Sequence, residues 1–471
     1  MSMNLTRFGR RQGAEGQPSL EPLELPQAEP TPTYQPPSGS ADAARSKVGR
    51  VSMQTLVSIH REVLDRIDPA EASRMPAPEL MVRVERLISQ IADERNLSLN
   101  QSEQRALAGD IVDDMLGLGP IEVILRDDTV NDILVNGPNQ VYVEQRGRLA
   151  LTNIKFRDET HVLNIAQKIA SAVGRRIDES SPLVDARLLD GSRVNIVIPP
   201  LALNGTCISI RKFTRSFLDF RSMVERKSIS PSMGRFLEIA ARCRLNILVS
   251  GGTGSGKTTL LNAMSSMIEH GERIVTIEDA AELQFRQPHV VRLETRPSNV
   301  EGSGRVDQRD LVKNALRMRP DRIIIGEVRG GEAFDMIQAM NTGHDGSMSS
   351  IHANTPRDAI ARLESMIMMA NIGLPSAAVR QQIVSAVDLI VQIERMRDGG
   401  RRVVQLAEVV GREGDTVITQ DLFAFKFTGQ SPDGRLQGAF EATGIRPRCV
   451  QRIAYFGLED AVMQAVRGEL G

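Results

Sequence analysis

One eight-residue run, Gly251-Gly252-Thr253-Gly254-Ser255-Gly256-Lys257-Thr258, limits the folds open to this chain more than any other segment. It fits G-x-x-x-x-G-K-[ST], a loop that must sit between a strand and a helix to work. The apolar Asn246-Ile247-Leu248-Val249 precedes it, and a helical pattern from Leu260 to Ile268 follows. Glycines let successive N–H groups turn inward around a phosphate, and the helix N-terminus adds partial positive charge. Lys257 then reaches the outer phosphates, and the Thr258 hydroxyl is a ligand for Mg²⁺. The segment implies nucleoside-triphosphate binding on a parallel α/β sheet.

The rest of the chain agrees with that class. After Pro231, strands expected at 247–249, 274–277, 290–293, 323–325 and 348–351 alternate with helices at 257–268, 310–317, 332–340 and 358–369. Later apolar runs at 389–393, 403–410 and 416–427 read as an antiparallel extension, and 429–471 as a C-terminal extension. Upstream, Leu56, Ile59, Val63 and Ile67 have helical spacing, as do Leu80, Val84, Leu87, Ile88 and Ile91. A third helix is expected near 102–116, giving a helical module over 51–127. Short strands near 130–135, 141–144, 149–154, 193–198 and 207–212, with a helix at 159–173, describe an α+β domain over 128–212. Residues 213–230 mix charges with isolated apolar side chains and read as a hinge between that domain and a nucleotide-binding domain at 231–428. Residues 1–50 are rich in Pro, Gln, Ser and Glu, a composition that cannot offset its ordering entropy, so a disordered head is expected.

Composition narrows the function. Lys plus Arg number 58 and Asp plus Glu 59, so there is no bulk drive toward nucleic acid. Aromatics are 3 % and Trp is absent, which disfavours stacking on single strands. Cys207, Cys243 and Cys449 are scattered, which suits a reducing compartment and argues against a cysteine-rich zinc site. With no run of 18 apolar residues, a cytoplasmic location is expected.

A phosphate loop needs acids and a group that orients water. Ile323-Ile324-Ile325-Gly326-Glu327 is an apolar strand that delivers Glu327 at its carboxyl end, where open parallel sheets bind ligands. Whether Glu327 activates water, holds Mg²⁺ indirectly or does both stays open at this level. Glu278, Asp279 and Glu282 follow another strand and either cap a helix or converge on the Mg²⁺-nucleotide. His344 and His352 flank a strand, either as γ-phosphate partners or as core and capping groups. Arg193, Arg211, Arg296, Arg305, Arg317, Arg319 and Arg329 lie in or near these segments.

Taken together, the loop 251–258, the acidic box Thr276–Asp279, the strand Ile323–Glu327 and the histidine box Thr342–His352 resemble the type II/type IV secretion ATPase superfamily. The wording of Gly117–Ile121, Asp132–Gly137, Ile210–Phe213, Leu316–Arg322 and Ala339–His344 is similar to the subfamily that powers Flp/Tad pilus assembly, often called CpaF or TadA. The resemblance implies a hexameric ring, a RecA-like ATPase domain and a PAS-like N-terminal domain that closes on ATP and works through an inner-membrane platform protein. It implies that Gly251 to Thr259 hold ATP, with Thr258 and Asp279 near Mg²⁺. Glu327 with Glu278 or Glu282 would position water, His344 and His352 would sense the γ-phosphate, and Arg193 and Arg211 would reach the nucleotide on closure. No metal beyond Mg²⁺ and no nucleic acid are expected. A DNA-translocating ring of similar core is the alternative.

Overall fold

The computed structural model describes Tyr34 and residues 53–469, except 73, 146–147, 189, 214–217, 297, 299–302 and 433. The helical periodicity of the first module becomes three packed helices, α1 (Met53–Arg66), α2 (Ala77–Glu94) and α3 (Gln101–Leu116). Ile59, Val63, Leu80, Val84, Ile88 and Ile111 form their shared core. Helix α3 starts at a capping box in which Asn100 and Glu103 satisfy each other's backbone N–H groups.

The α+β domain holds a six-stranded sheet in the order β3-β2-β1-β6-β5-β4. Its strands are β1 (Val130–Asn136), β2 (Val141–Gln145), β3 (Arg148–Leu151), β4 (Leu183–Arg187), β5 (Arg193–Val197) and β6 (Cys207–Arg211), with helix α4 (Glu159–Ala172) among them. Strand β4 was absent from the sequence expectation. It lies at the sheet edge, where only Val184 of its five residues is buried, so no apolar alternation announces it. Tyr34 corrects the picture of the head as a segment without core. It is buried with this domain, its N–H donates to the Leu151 carbonyl at 2.9 Å and its hydroxyl to Asp127 Oδ2 at 2.6 Å. The remainder of the expected disordered head lies outside the described residues.

The ATPase domain is a nine-stranded sheet, β15-β14-β13-β12-β7-β11-β10-β8-β9. Strands β7 (Ile247–Ser250), β8 (Ile274–Glu278), β9 (Val290–Glu294), β10 (Arg322–Val328), β11 (Met348–Ile351) and β12 (Leu389–Arg395) pair in parallel. Strands β13 (Arg401–Glu413), β14 (Thr416–Gln430) and β15 (Leu436–Ala442) continue it antiparallel. Four-residue strands β7 and β11 are buried at every position, as a central parallel strand covered on both faces must be.

Two sequence boundaries move. The hinge drawn at 213–230 contains helix α5 (Phe220–Glu225), and its Phe220 and Met223 enter the ATPase core beside helix α6 (Pro231–Arg242). The boundary at 428/429 falls inside β14. Helices at Val450–Tyr455 and Glu459–Val466 place Val450, Ile453, Val462 and Ala465 in the same core, so the C-terminal extension belongs to the ATPase domain. A glycine-rich start at 429 hid that continuity.

Candidate active site

The loop 251–258 leaves the carboxyl end of β7 and enters helix α7 (Lys257–Ser265). Gly254 and Gly256 have φ of 68° and 103°, a left-handed backbone that side-chain-bearing residues rarely adopt. Gly251 is required for another reason, because a Cβ there would collide with the Ile393 carbonyl of neighbouring β12. Thr258 and Thr259 lie in the first turn of α7. The Ser255 hydroxyl is buried and has no partner among the described residues. Lys257 is folded onto its own loop, with Nζ donating to the carbonyls of Gly251 at 2.9 Å and Gly252 at 3.0 Å. Burial lowers the Lys257 pKa, and Glu327 opposes that shift.

Glu327 emerges on β10 beside this lysine. Its Oε2 accepts from Arg329 Nε at 2.8 Å and Nη2 at 2.5 Å, while Oε1 lies 2.5 Å from His352 Nε2. His352 follows β11 and also sits 3.5 Å from Lys257 Nζ. Burial pushes the His352 pKa down despite the pull of Glu327, which favours the neutral ring. Lys257, Glu327, His352 and Arg329 therefore form one contiguous polar group at the carboxyl ends of adjacent strands.

The acidic box divides into three. Glu278 turns back into the protein, where its Oε2 accepts from the N–H groups of Glu282 at 2.7 Å and Leu283 at 2.9 Å. Burial raises its pKa to about 7, against the two backbone donors. It packs against Gly326, where a Cβ would fall 2.8 Å from Glu278 Cγ; this contact explains the glycine before Glu327. Glu278 Oε2 thus shapes the turn that presents Glu282. Asp279, expected near Mg²⁺, faces Arg329 Nη1 at 3.4 Å and the Thr295 hydroxyl at 3.3 Å in the cleft between domains. Glu282 pairs across that cleft with Arg193 Nη1 at 3.3 Å and acts electrostatically on Lys257.

His344 is misplaced by sequence reasoning. It precedes β11 whereas His352 follows it, so the whole strand, roughly 13 Å at 3.3 Å per residue, separates them. Its Nδ1 lies 3.3 Å from the Ala339 carbonyl, at the end of the preceding helix. Arg317 and Arg319 likewise precede β10 and sit at the far end of the sheet from Glu327.

The α+β domain faces this polar group across a cleft that Arg329 borders. Arg175 donates to the Ser298 carbonyl at 3.2 Å, and Arg187 pairs with Glu294 at 2.7 Å. With Arg193, Arg296, Arg305 and Arg329 they line an interdomain cleft of about 600 Å³. Arg211 faces a neighbouring cleft and is paired with Asp132 at 3.1 Å, within its own domain. Of the arginines named from sequence, Arg329 makes the most direct contact with the acids. Arg401, which no sequence argument singled out, donates to the Gly254 carbonyl at 3.0 Å.

Residues 114–418 match the family described as "Type II/IV secretion system protein". A Mycobacterium tuberculosis protein named for conjugal transfer is 41 % identical over 307 residues, which is 64 % of this chain and 87 % of the relative. The conjugal transfer protein TrbB of Rhizobium radiobacter is 34 % identical over 302 residues, 63 % of this chain and 89 % of the relative. The type IV secretion system protein VirB11 of Bartonella quintana is 33 % identical over 315 residues, 59 % and 88 % respectively. Among solved structures, the VirB11 ATPase of Brucella suis aligns with 28 % identity and a TM-score of 0.34, over 61 % of this chain and 95 % of that one. With a family match over most of its length and a phosphate loop, acid and lysine in one group, the chain belongs to the type II/IV secretion system protein family as an ATP-hydrolysing enzyme.

Proposed function

We propose that the chain is a motor ATPase in which ATP draws the two domains together, and that this movement drives pilus assembly of the Flp/Tad kind through an inner-membrane platform protein. One observation carries the reading: Lys257 and Glu327, the two groups a phosphoryl-transfer site most needs, lie in one cluster whose Arg329 also lines a cleft with another domain as its far wall. ATP phosphates compete with the loop carbonyls for Lys257, and a water before the γ-phosphate competes with Arg329 for Glu327. Arg329 is then available to the phosphoryl oxygens, and Arg193 is the N-terminal group nearest to follow it.

Mg²⁺ fits this donor set. Thr258 opens helix α7 next to Lys257, Glu327 offers a hard carboxylate oxygen, and the ion needs only one or two protein oxygens beside water and phosphate. When bound it supplies charge neutralisation on the phosphates. Asp279, which the resemblance places near Mg²⁺, is held by Arg329 and Thr295 at the interdomain cleft.

A RecA-like ATPase domain, a PAS-like N-terminal sheet and assembly as a hexamer complete the proposal. The tests are Mg²⁺-dependent phosphate release, particle mass with and without ATP, and a host strain lacking the gene. Loss of surface pili with conjugation intact supports the pilus assignment. The reverse phenotype moves the chain to conjugal transfer, the process for which its Mycobacterium and Rhizobium relatives are named.

A further inference from the structure

The phosphate loop is walled on one side by β12 and the turn into β13. A Cβ at Gly256 would lie 3.4 Å from Arg401 Cδ and 3.5 Å from Ile393 Cδ1, and one at Gly254 3.7 Å from Arg395 Nη1. Arg401 Nε donates to the Gly254 carbonyl from 147 residues away in sequence. A phosphate cradle turns N–H groups inward and therefore carbonyls outward. An outward carbonyl with a fixed donor holds its peptide plane; without one, the flexible glycine that carries it lets the plane rotate and the cradle open.

Arg395, beside it, belongs to a second interdomain cleft of about 840 Å³. Across that cleft stand Asp132 and Glu144, on strands β1 and β2 of the N-terminal sheet. Burial raises the Glu144 carboxyl, Asp132 adds to the shift by hydrogen bond and charge, and both Arg395 and Arg401 oppose it. Glu144 thus feels both arginines across the domain boundary.

We infer that Arg401 and Arg395 form a bridge between the N-terminal sheet and the phosphate loop. Arg401 is a positioning residue that holds the Gly254 carbonyl, and Arg395 carries the position of Glu144 to the same loop. The inference rests on reading 251–258 as the nucleotide site. It adds a route by which the N-terminal domain sets nucleotide affinity without touching the nucleotide.

The test uses the full chain, with equilibrium binding of mant-ADP and steady-state ATP hydrolysis. Arg401→Ala should raise the mant-ADP Kd and the ATP KM together by about tenfold while kcat stays within about threefold, because the contact serves ground and transition states alike. Arg401→Lys, which keeps a donor, should recover part of the loss. A variant that melts earlier but keeps wild-type Kd and KM overturns the positioning role. For Arg395, a double-mutant cycle of Arg395→Ala with Glu144→Gln should show coupling in Kd of about threefold or more, and strict additivity overturns the bridge. Lys257→Ala separates the two levels. If it binds mant-ADP normally, the nucleotide-site reading fails; if it loses binding while Arg401→Ala does not, only this inference fails.

Discussion

Glu327 is held by Arg329 and His352, so its charge is shared between two partners. Glu327→Gln keeps the shape and removes the charge. The variant should still bind ATP and should hydrolyse it at least about a hundredfold slower, near 2.7 kcal/mol of barrier. Single-turnover phosphate release measures this, and turnover near wild type would transfer the role to Glu282. Glu278 makes a different prediction. Its carboxyl has a pKa of about 7 in the fold against 4.5 for the free group, so the folded state holds its proton more tightly than the unfolded chain. Stability is therefore greatest below the unfolded value and falls as pH rises through the window up to about 7, by up to about 3 kcal/mol for a shift of that size. Glu278→Gln, which keeps an acceptor for the Glu282 and Leu283 N–H groups, should flatten that decline. Thermal midpoints of both proteins at pH 5 and pH 8 decide it, and a parallel decline in the two refutes the assignment.

At the scale of elements, what could be read from the sequence depended on how local the information was. The phosphate loop and the strand ending in Glu327 were legible because a few consecutive residues carry both their structure and their chemistry. The orientation of Glu278 and the distance of His344 from His352 were not legible, because a motif gives spacing without direction. One carboxylate points back beneath Gly326, and β11 lies between the two histidines. Arg401 was invisible because a β-ladder brings it to Gly254 from far along the chain. Tyr34 was lost in a proline-rich surround, although its own contacts pin it to the N-terminal sheet. Two experiments probe this scale. Gly326→Ala forces a Cβ against Glu278 and should cost about 1–3 kcal/mol of stability with activity falling further, because Glu327 is its neighbour. Tyr34→Phe should cost about 1 kcal/mol through the lost Asp127 bond. Removal of residues 1–50 should then lower the N-terminal domain's melting point, whereas a purely disordered head predicts no change. An unchanged melting point would show that Tyr34 contributes nothing.

Across the whole molecule, the two domains meet through ion pairs that stay partly open to solvent. The Arg193 and Glu282 side chains are 31 % and 35 % exposed. Such a pair is worth about 0.2–1 kcal/mol and is screened by salt. The resting cleft should therefore open readily. A distance probe between the domains should report more separation in Arg193→Ala and in wild type at high salt, and ATP analogues should reverse only the second. A separation that ignores both changes would place the coupling elsewhere.

The helix at Glu459–Val466 lies against α6, and the two share the layer that covers one face of the nine-stranded sheet. During synthesis the strands and the phosphate loop leave the ribosome long before that layer can be completed. The ATPase core consequently matures only after residues 450–466 have emerged. A frameshift or stop codon just before residue 450 would yield a protein with every catalytic group present and an apolar flank uncovered, prone to aggregation and proteolysis.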